Sequence, residues 1–148
     1  MRSLRPILLV DDSARDRELV VDALTEAHVA NEIVQLEDGE EALAWLSRAG
    51  AFAHRPQADP CVVLLDLKMP KVDGLEVLKA AKADPHLRLL PIVVMTSSRE
   101  ESDLLSSYRL GANAYVVKPL DFHDFADAIR GVGAFWAIVN EPPPAGGS

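Results

Sequence analysis

Five short apolar segments alternate along the chain with longer segments whose apolar residues recur at helical spacing. The apolar segments are ILLV (7–10), EIVQL (32–36), CVVLL (61–65), PIVVM (91–95) and AYVV (114–117). Four of them are almost continuously apolar, as is typical of parallel strands covered on both faces, whereas EIVQL alternates like an edge strand. This alternation of strands and helices predicts a parallel sheet in an α/β fold.

The helical segments also carry start and stop signals. A serine or an aspartate precedes each of them, and its side chain can accept hydrogen bonds from the free N–H groups of the first turn. We expect the second helix to stop at Gly50 and the fourth at Gly111, because glycine is favoured just after a helix. The predicted caps are Ser13, Asp38, Asp73, Ser97 or Ser98, and Asp121.

The order of elements predicts one domain over residues 1–140, followed by a flexible Pro/Gly-rich tail at 141–148. The predicted fold class is a flavodoxin-like, doubly wound, five-stranded parallel sheet of order 2-1-3-4-5 with helices on both faces. In such a sheet the ligand crevice opens at the carboxyl ends of strands 1 and 3, where the winding direction reverses. We therefore expect a reactive site at that edge.

One predicted connection is unusually long. Residues 50–60, GAFAHRPQADP, separate the second helix from the third strand, whereas such loops usually have about two to six residues. A lid, a partner contact and a surface insertion that the fold merely tolerates all agree with this length.

Composition excludes several classes of function. The chain is 49% apolar and 26% charged, and no apolar run approaches the roughly 20 residues that span a bilayer. Its start lacks the pattern of a signal peptide, so we expect a cytoplasmic protein without membrane contact. A net charge of −8 argues against direct nucleic-acid binding, which needs clustered Lys and Arg on one face.

Polar residues follow four of the predicted strands. Asp11 and Asp12 come after the first strand, Asp66 ends the third, Thr96 follows the fourth and Lys118 follows the fifth. Two carboxylates about 5 Å apart repel by roughly 3 kcal/mol at an effective dielectric of 20, so a convergence of all three acids would need a cation. Mg²⁺ is the natural candidate, because it is hard and oxygen-seeking. Taken singly, these residues would also suit helix caps, a turn and a surface lysine.

Four segments, LLVDDS, LLDLKMPKVDG, VVMTSS and AYVVKP, resemble the receiver domains of two-component response regulators. They occur in that family's order and cover nearly the whole chain. The resemblance implies that Asp66 is the phosphoacceptor, that Thr96 senses the phosphoryl group and that Lys118 pairs with it. It also implies that Asp11 and Asp12 hold a divalent metal, with Asp11 acting mainly through water.

Three further assignments depend on the same resemblance. Mg²⁺, with Mn²⁺ as a substitute, is expected to be bound directly by Asp12, Asp66 and the main-chain carbonyl of Lys68. Tyr115 matches the family's aromatic switch position, for which simple packing of a strand aromatic is the alternative. A cis peptide is expected before Pro119.

The expected function is that of a single-domain response regulator. A sensor histidine kinase phosphorylates it, and it then switches a protein-binding surface or passes the phosphoryl group to a downstream protein. It is not an enzyme, although it assists its own phosphotransfer and dephosphorylation. The long loop and the aromatic last helix resemble regulators paired with phytochrome kinases, so a bacteriophytochrome is the expected kinase.

Two alternatives come from other classes of protein. Phosphatases of the haloacid dehalogenase type also use an aspartate nucleophile, but they carry a second aspartate two positions later, where this chain has Lys68. A binding module that works without phosphorylation is disfavoured, because none of the five key positions is lost.

The last predicted helix has more apolar residues than one core face requires. Phe122, Phe125 and Trp136 lie in its apolar stripe, and Phe135 and Ile138 extend beyond it. Surplus aromatic surface often marks an interface. We therefore predict a homodimer through this helix, with a packed C-terminal end as the alternative.

Overall fold

The computed structural model describes residues 4–144, apart from the side chain of Phe122. Within this range five parallel strands form one sheet: β1 (Ile7–Val10), β2 (Ile33–Leu36), β3 (Val62–Leu65), β4 (Ile92–Thr96) and β5 (Ala114–Val117). Their order is β2-β1-β3-β4-β5, which confirms the predicted flavodoxin-like topology. The winding direction therefore reverses between β1 and β3.

Five α-helices connect or follow the strands. They are α1 (Ala14–Glu26), α2 (Gly39–Ser47), α3 (Gly74–Ala83), α4 (Glu101–Arg109) and α5 (Phe122–Gly133), with a 3-10 helix at Gly50–Phe52 and a π-helical segment, Ala134–Val139, that continues α5. Four predicted caps accept hydrogen bonds from first-turn N–H groups, because the short side chains of serine and aspartate reach back to these donors. These caps are Ser13, Asp38, Asp73 and Asp121.

Two predicted helix boundaries are wrong. Helix α2 ends at Ser47 and not at Gly50, and its C-cap residue Arg48 takes a left-handed conformation with φ of 55°. The guanidinium of Arg48 donates to the carbonyls of Arg55 and Gln57, and these tertiary contacts hold a conformation that favours glycine. Helix α4 begins after Glu100, so Ser98 precedes the cap by two residues.

Two further predictions concern the peptide before Pro119 and the tail at 141–148. The peptide before Pro119 is trans, the usual state of X–Pro bonds, so the expected cis peptide is wrong. The expected flexible tail at 141–148 includes residues 145–148, which the structure does not describe. Of the tail residues described, Pro143 accepts a hydrogen bond from Arg5 at 2.6 Å.

The sheet separates two apolar cores, because successive strand residues point to opposite faces. On one face the strands pack against α2 and α3 through Leu8, Val10, Val63, Leu65, Ile92, Val94, Trp45, Leu46, Val77 and Leu78. On the other face they pack against α1 and α5 through Ile7, Leu9, Val62, Leu64, Val93, Met95, Val20, Leu24, Phe125 and Ile129. No helix within residues 4–144 is long and apolar enough to cross a membrane.

The long loop at 50–60 folds around one arginine. Arg55 is 8% exposed, its guanidinium carbon lies 3.6 Å from the ring centre of Trp45, and its Nε donates to the Trp45 carbonyl at 2.7 Å. The loop therefore has a small polar core of its own against α2.

Candidate functional site

The carboxyl ends of four strands meet at one edge of the sheet and carry buried polar side chains. Asp11 follows β1, Asp66 follows β3, Thr96 ends β4 and Lys118 follows β5, and all four are buried. Main-chain hydrogen bonds hold them in register. The Asp66 N–H donates to the Val10 carbonyl at 3.0 Å, and the Lys118 N–H donates to the Thr96 carbonyl at 2.8 Å. The strand ladder thus positions the site directly.

Three carboxylates form a cluster at this edge. One oxygen from each of Asp11, Asp12 and Asp66 lies within 4.8 Å of the others. Asp11 Oδ1 accepts a hydrogen bond from Ser13 N–H at 2.9 Å, and Asp66 Oδ1 accepts one from Leu67 N–H at 2.8 Å. Asp12 is exposed, so the cluster is open to solvent. Several oxygens gathered at an open edge are the donor set that a hard divalent cation prefers.

A buried lysine faces this cluster. Lys118 Nζ lies 2.5 Å from Asp11 Oδ2, 2.9 Å from Asp16 Oδ2 and 3.6 Å from Asp66 Oδ2. Burial lowers the pKa of Lys118, but the hydrogen bonds and charges of the three carboxylates outweigh it, so the pKa lies above its usual value. Lys118 therefore remains an ammonium.

The charge on Asp66 is incompletely balanced by Lys118. Burial raises the pKa of the Asp66 carboxyl from 3.8 to about 6; the charge of Lys118 opposes this shift and that of Asp11 adds to it. The neighbouring Thr96 side chain lowers the pKa of Asp66 and so favours its ionised form. The ionised site would consequently be stabilised by a further cation.

The turn after β3 is constrained by a close approach of the main chain. Gly74 N–H donates to the Leu67 carbonyl at 2.9 Å, and a Cβ at position 74 would collide with the Asp66 carbonyl. Lys68 lies in this turn with an exposed side chain. That the main-chain carbonyl of Lys68 binds a metal stays a prediction.

The predicted switch residues lie on two sides of the loop after β4. The Thr96 hydroxyl oxygen accepts a hydrogen bond from Ser98 N–H at 3.3 Å, and the half-buried Tyr115 donates a hydrogen bond from its hydroxyl to the Ser98 carbonyl at 3.1 Å.

Two acidic residues beside the site were not predicted from the sequence. Asp16 accepts a hydrogen bond from Lys118, and Asp103 accepts one from Ser98. Their positions in the first turns of α1 and α4, beside this edge, were the available signal.

The residues proposed for an interface separate into two groups. Phe125 is 5% exposed and belongs to the core, so it offers no surface to a partner, and Trp136 packs partly against the same core. Phe135 and Ile138 are exposed, and the Phe135 ring meets the Trp136 ring edge-on at 5.1 Å. The side chain of Phe122 lies outside the described part of the structure.

Comparison with known proteins agrees with this geometry. A family model described as "Response regulator receiver domain" matches residues 7–130. The chain is 39% identical over 139 residues to response regulator Rcp1 of Synechocystis sp., a match that covers 94% of this chain and 93% of Rcp1.

Solved structures of similar proteins have the same fold. The Mn²⁺-bound form of Rcp1 superimposes with a TM-score of 0.89 at 37% identity, covering 95% of this chain and 99% of that one. The phosphorylated cyanobacterial phytochrome response regulator RcpA gives 0.90 at 36% identity, with coverages of 96% and 100%. The bacteriophytochrome response regulator AtBRR gives 0.76 at 56% identity, with coverages of 95% and 100%.

Proposed function

The chain belongs to the family of response regulator receiver domains, and from this premise we propose that Asp66 accepts a phosphoryl group from a sensor histidine kinase. Members of this family are generally signalling proteins and not enzymes. The observation that supports the proposal is the convergence of Asp66 with Asp11, Asp12 and Lys118 at the end of β3. Scattered carboxylates would not have supported it.

The proposed transfer exchanges one bond for another. A carboxylate oxygen of Asp66 forms a bond to phosphorus, while the bond between phosphorus and the donor nitrogen breaks and the electron pair stays with the donor. Lys118 Nζ lies 3.6 Å from Asp66 Oδ2, so its positive charge would stabilise the negative charge of the transferred phosphoryl oxygens. The Thr96 hydroxyl would donate a hydrogen bond to one of these oxygens.

We propose Mg²⁺, with Mn²⁺ as a substitute, as the cation of this site. Asp12 and Asp66 would hold it directly together with the Lys68 carbonyl, and Asp11 would act mainly through water. The cation would supply positive charge against the transferred phosphoryl group. The same residues would assist the later loss of that group to water.

The similarity to Rcp1, RcpA and AtBRR supports a finer proposal about partners. We propose that the kinase is a bacteriophytochrome and that the phosphorylated protein acts on a downstream phosphotransfer or effector protein. Kinase, ATP and acceptor must share a compartment, so we place the reaction in the cytoplasm.

Intact-mass measurement tests the phosphoacceptor directly. Incubation with acetyl phosphate and Mg²⁺ should add one phosphoryl group per chain, and Asp66→Asn should gain none. Asp22→Asn is the control, because it removes an exposed carboxylate of α1 that is not one of the three clustered acids. Modification of Asp66→Asn would contradict the proposal, and sustained phosphate release from small phosphoesters would favour a phosphatase instead.

We also propose that a second copy of the chain binds the exposed residues of the π-helical segment. Phe135, Ile138 and Val139 are 49%, 61% and 69% exposed. Light scattering at micromolar concentration should report a dimer, and Ile138→Glu should convert it to the monomer. Leu89→Glu, at a 50% exposed residue outside this segment, should leave the dimer intact. A monomeric wild-type protein, with and without phosphorylation, would contradict the proposal.

A further inference from the structure

A second polar network surrounds the loop between β4 and α4, beside the acidic cluster. Ser98 Oγ donates to Asp103 Oδ2 at 2.6 Å, and Lys68 Nζ lies 3.4 Å from the same oxygen. The Tyr115 hydroxyl donates to the Ser98 carbonyl at 3.1 Å. We call these four residues the Asp103 network.

Asp103 connects the first turn of α4 to the loop that precedes it. The residue is 8% exposed, and the cap residue Glu100 makes no side-chain hydrogen bond to the helix. Instead, Ser98 Oγ accepts a bond from the Glu100 N–H at 3.3 Å while it donates to Asp103. The hydrogen bond from Ser98 is the main reason that the pKa of Asp103 lies below its usual value. Asp103 therefore acts as a charged acceptor.

The same loop is attached to the phosphoacceptor through Thr96. The Ser98 N–H donates to the Thr96 hydroxyl oxygen at 3.3 Å, and the Thr96 side chain is close enough to Asp66 to lower the pKa of its carboxyl. If a phosphoryl group on Asp66 draws Thr96 inward, the Thr96–Ser98 bond couples that movement to Ser98. The movement would then strain the Ser98–Asp103 bond, which joins the loop to α4.

The two bonds to Asp103 differ in strength. Lys68 is 64% exposed along its side chain, so solvent screens its ion pair with Asp103. The Ser98–Asp103 bond is short, charge-assisted and only partly accessible to water. Ser98 is therefore the dominant partner.

We propose that Asp103 is a positioning residue that holds the loop after β4 in its resting conformation, in competition with the phosphoryl group for the position of Thr96. The inference rests on the proposed function and adds to it a residue that sets the balance between the resting and the switched form. Loss of the Ser98–Asp103 bond removes an interaction made only at rest, so the switched form becomes easier to reach.

The test is a titration with beryllofluoride, a stable phosphoryl mimic, in the presence of Mg²⁺, followed by amide NMR signals of residues 96–100. Asp103→Ala and Ser98→Ala should each lower the half-saturating concentration by roughly tenfold, the effect of one hydrogen bond to a charged group. The control Glu101→Ala removes an exposed acid from the same turn of α4 and should bind like the wild type.

A second readout distinguishes positioning from general loosening. Before any mimic is added, the signals of residues 96–100 in Asp103→Ala should already be displaced towards their positions in the mimic-bound wild type. Unchanged or weaker binding by both variants would overturn the inference, and if Asp103→Ala fails to fold, Ser98→Ala decides. A wild type that takes neither phosphoryl group nor mimic would overturn the proposed function as well, so the two failures are distinguishable.

Discussion

Arg55 and Lys118 are both 8% exposed, but the two buried cations have different surroundings. The guanidinium of Arg55 donates to three main-chain carbonyls and one carboxylate, those of Trp45, Gln57, Ala58 and Asp59. The ammonium of Lys118 faces three carboxylates, those of Asp11, Asp16 and Asp66. One cation is solvated mainly by neutral dipoles, and the other is outnumbered by opposite charges.

This difference distinguishes a structural cluster from the proposed phosphorylation site. Carbonyl dipoles satisfy the donors of Arg55 without adding net charge, so its cluster is complete in the folded protein. At the edge of the sheet, burial raises the pKa of Asp66 to about 6, and three carboxylates outnumber the single charge of Lys118. A buried carboxylate that is costly to ionise would be stabilised by a bound cation, which agrees with the function proposed for Asp66.

Removal of Arg55 should have the largest effect on stability. Arg55→Ala removes a buried side chain that packs on Trp45 and leaves the buried Trp45 carbonyl unpaired, so it should lower the free energy of unfolding by about 3 kcal/mol, measured by urea denaturation. Uptake of a phosphoryl group by the fraction that remains folded should persist.

Asp59→Asn is the matched control for Arg55. It removes only the charge of a carboxylate 3.2 Å from the guanidinium, so it should cost less than about 1 kcal/mol. Equal losses in the two variants would show that the ion pair, and not the carbonyls, holds Arg55.

Removal of Lys118 should damage chemistry more than stability. Lys118→Met preserves most of the side-chain length but removes the positive charge that is proposed to stabilise the phosphoryl oxygens. The initial rate of phosphorylation by acetyl phosphate should fall about 100-fold, the usual cost of one preorganised donor. Lys79→Met, at an exposed lysine of α3, should retain the wild-type rate, and a Lys118→Met rate close to it would refute the assigned role.

The smallest predicted effect is a dependence of stability on pH in buffer containing a metal chelator. Asp66 binds its proton more tightly in the folded chain, because its pKa there is about 6 and its ordinary value is 3.8. The folded state therefore loses stability as pH rises from about 4 to 6. Above pH 6, Asp66→Asn should be more stable than the wild type by up to about 2 kcal/mol.

Thermal or urea unfolding curves of Asp66→Asn and the wild type measure this difference in stability at each pH. The difference between Asp66→Asn and the wild type should vanish below about pH 3, where the carboxyl is protonated in both states. Added Mg²⁺ should reduce the difference above pH 6 by stabilising the ionised wild type. A variant that is less stable than the wild type at pH 7 without metal would contradict the prediction.

The strands and most of the candidate site could be predicted because their signals are local, and the strand order came with the fold class. Apolar runs gave the strands within one residue at each end, and Asp11, Asp66, Thr96 and Lys118 stand next to strand ends. In a parallel sheet such positions converge whatever the details of packing. The interface prediction was weaker, because helical spacing alone could not separate the buried Phe125 from the exposed Phe135.

The amino-acid sequence by itself determined the parallel sheet, the edge at which it carries chemistry and the residue types found there, because strand periodicity and capping act over a few residues. Only the tertiary structure decided the partners of the buried charges. Asp16 meets Lys118 across 102 positions of chain, and Arg55 finds its acceptors only after the long loop folds onto α2. Such pairings depend on where separate elements come to rest against each other, and no local pattern encodes that distance.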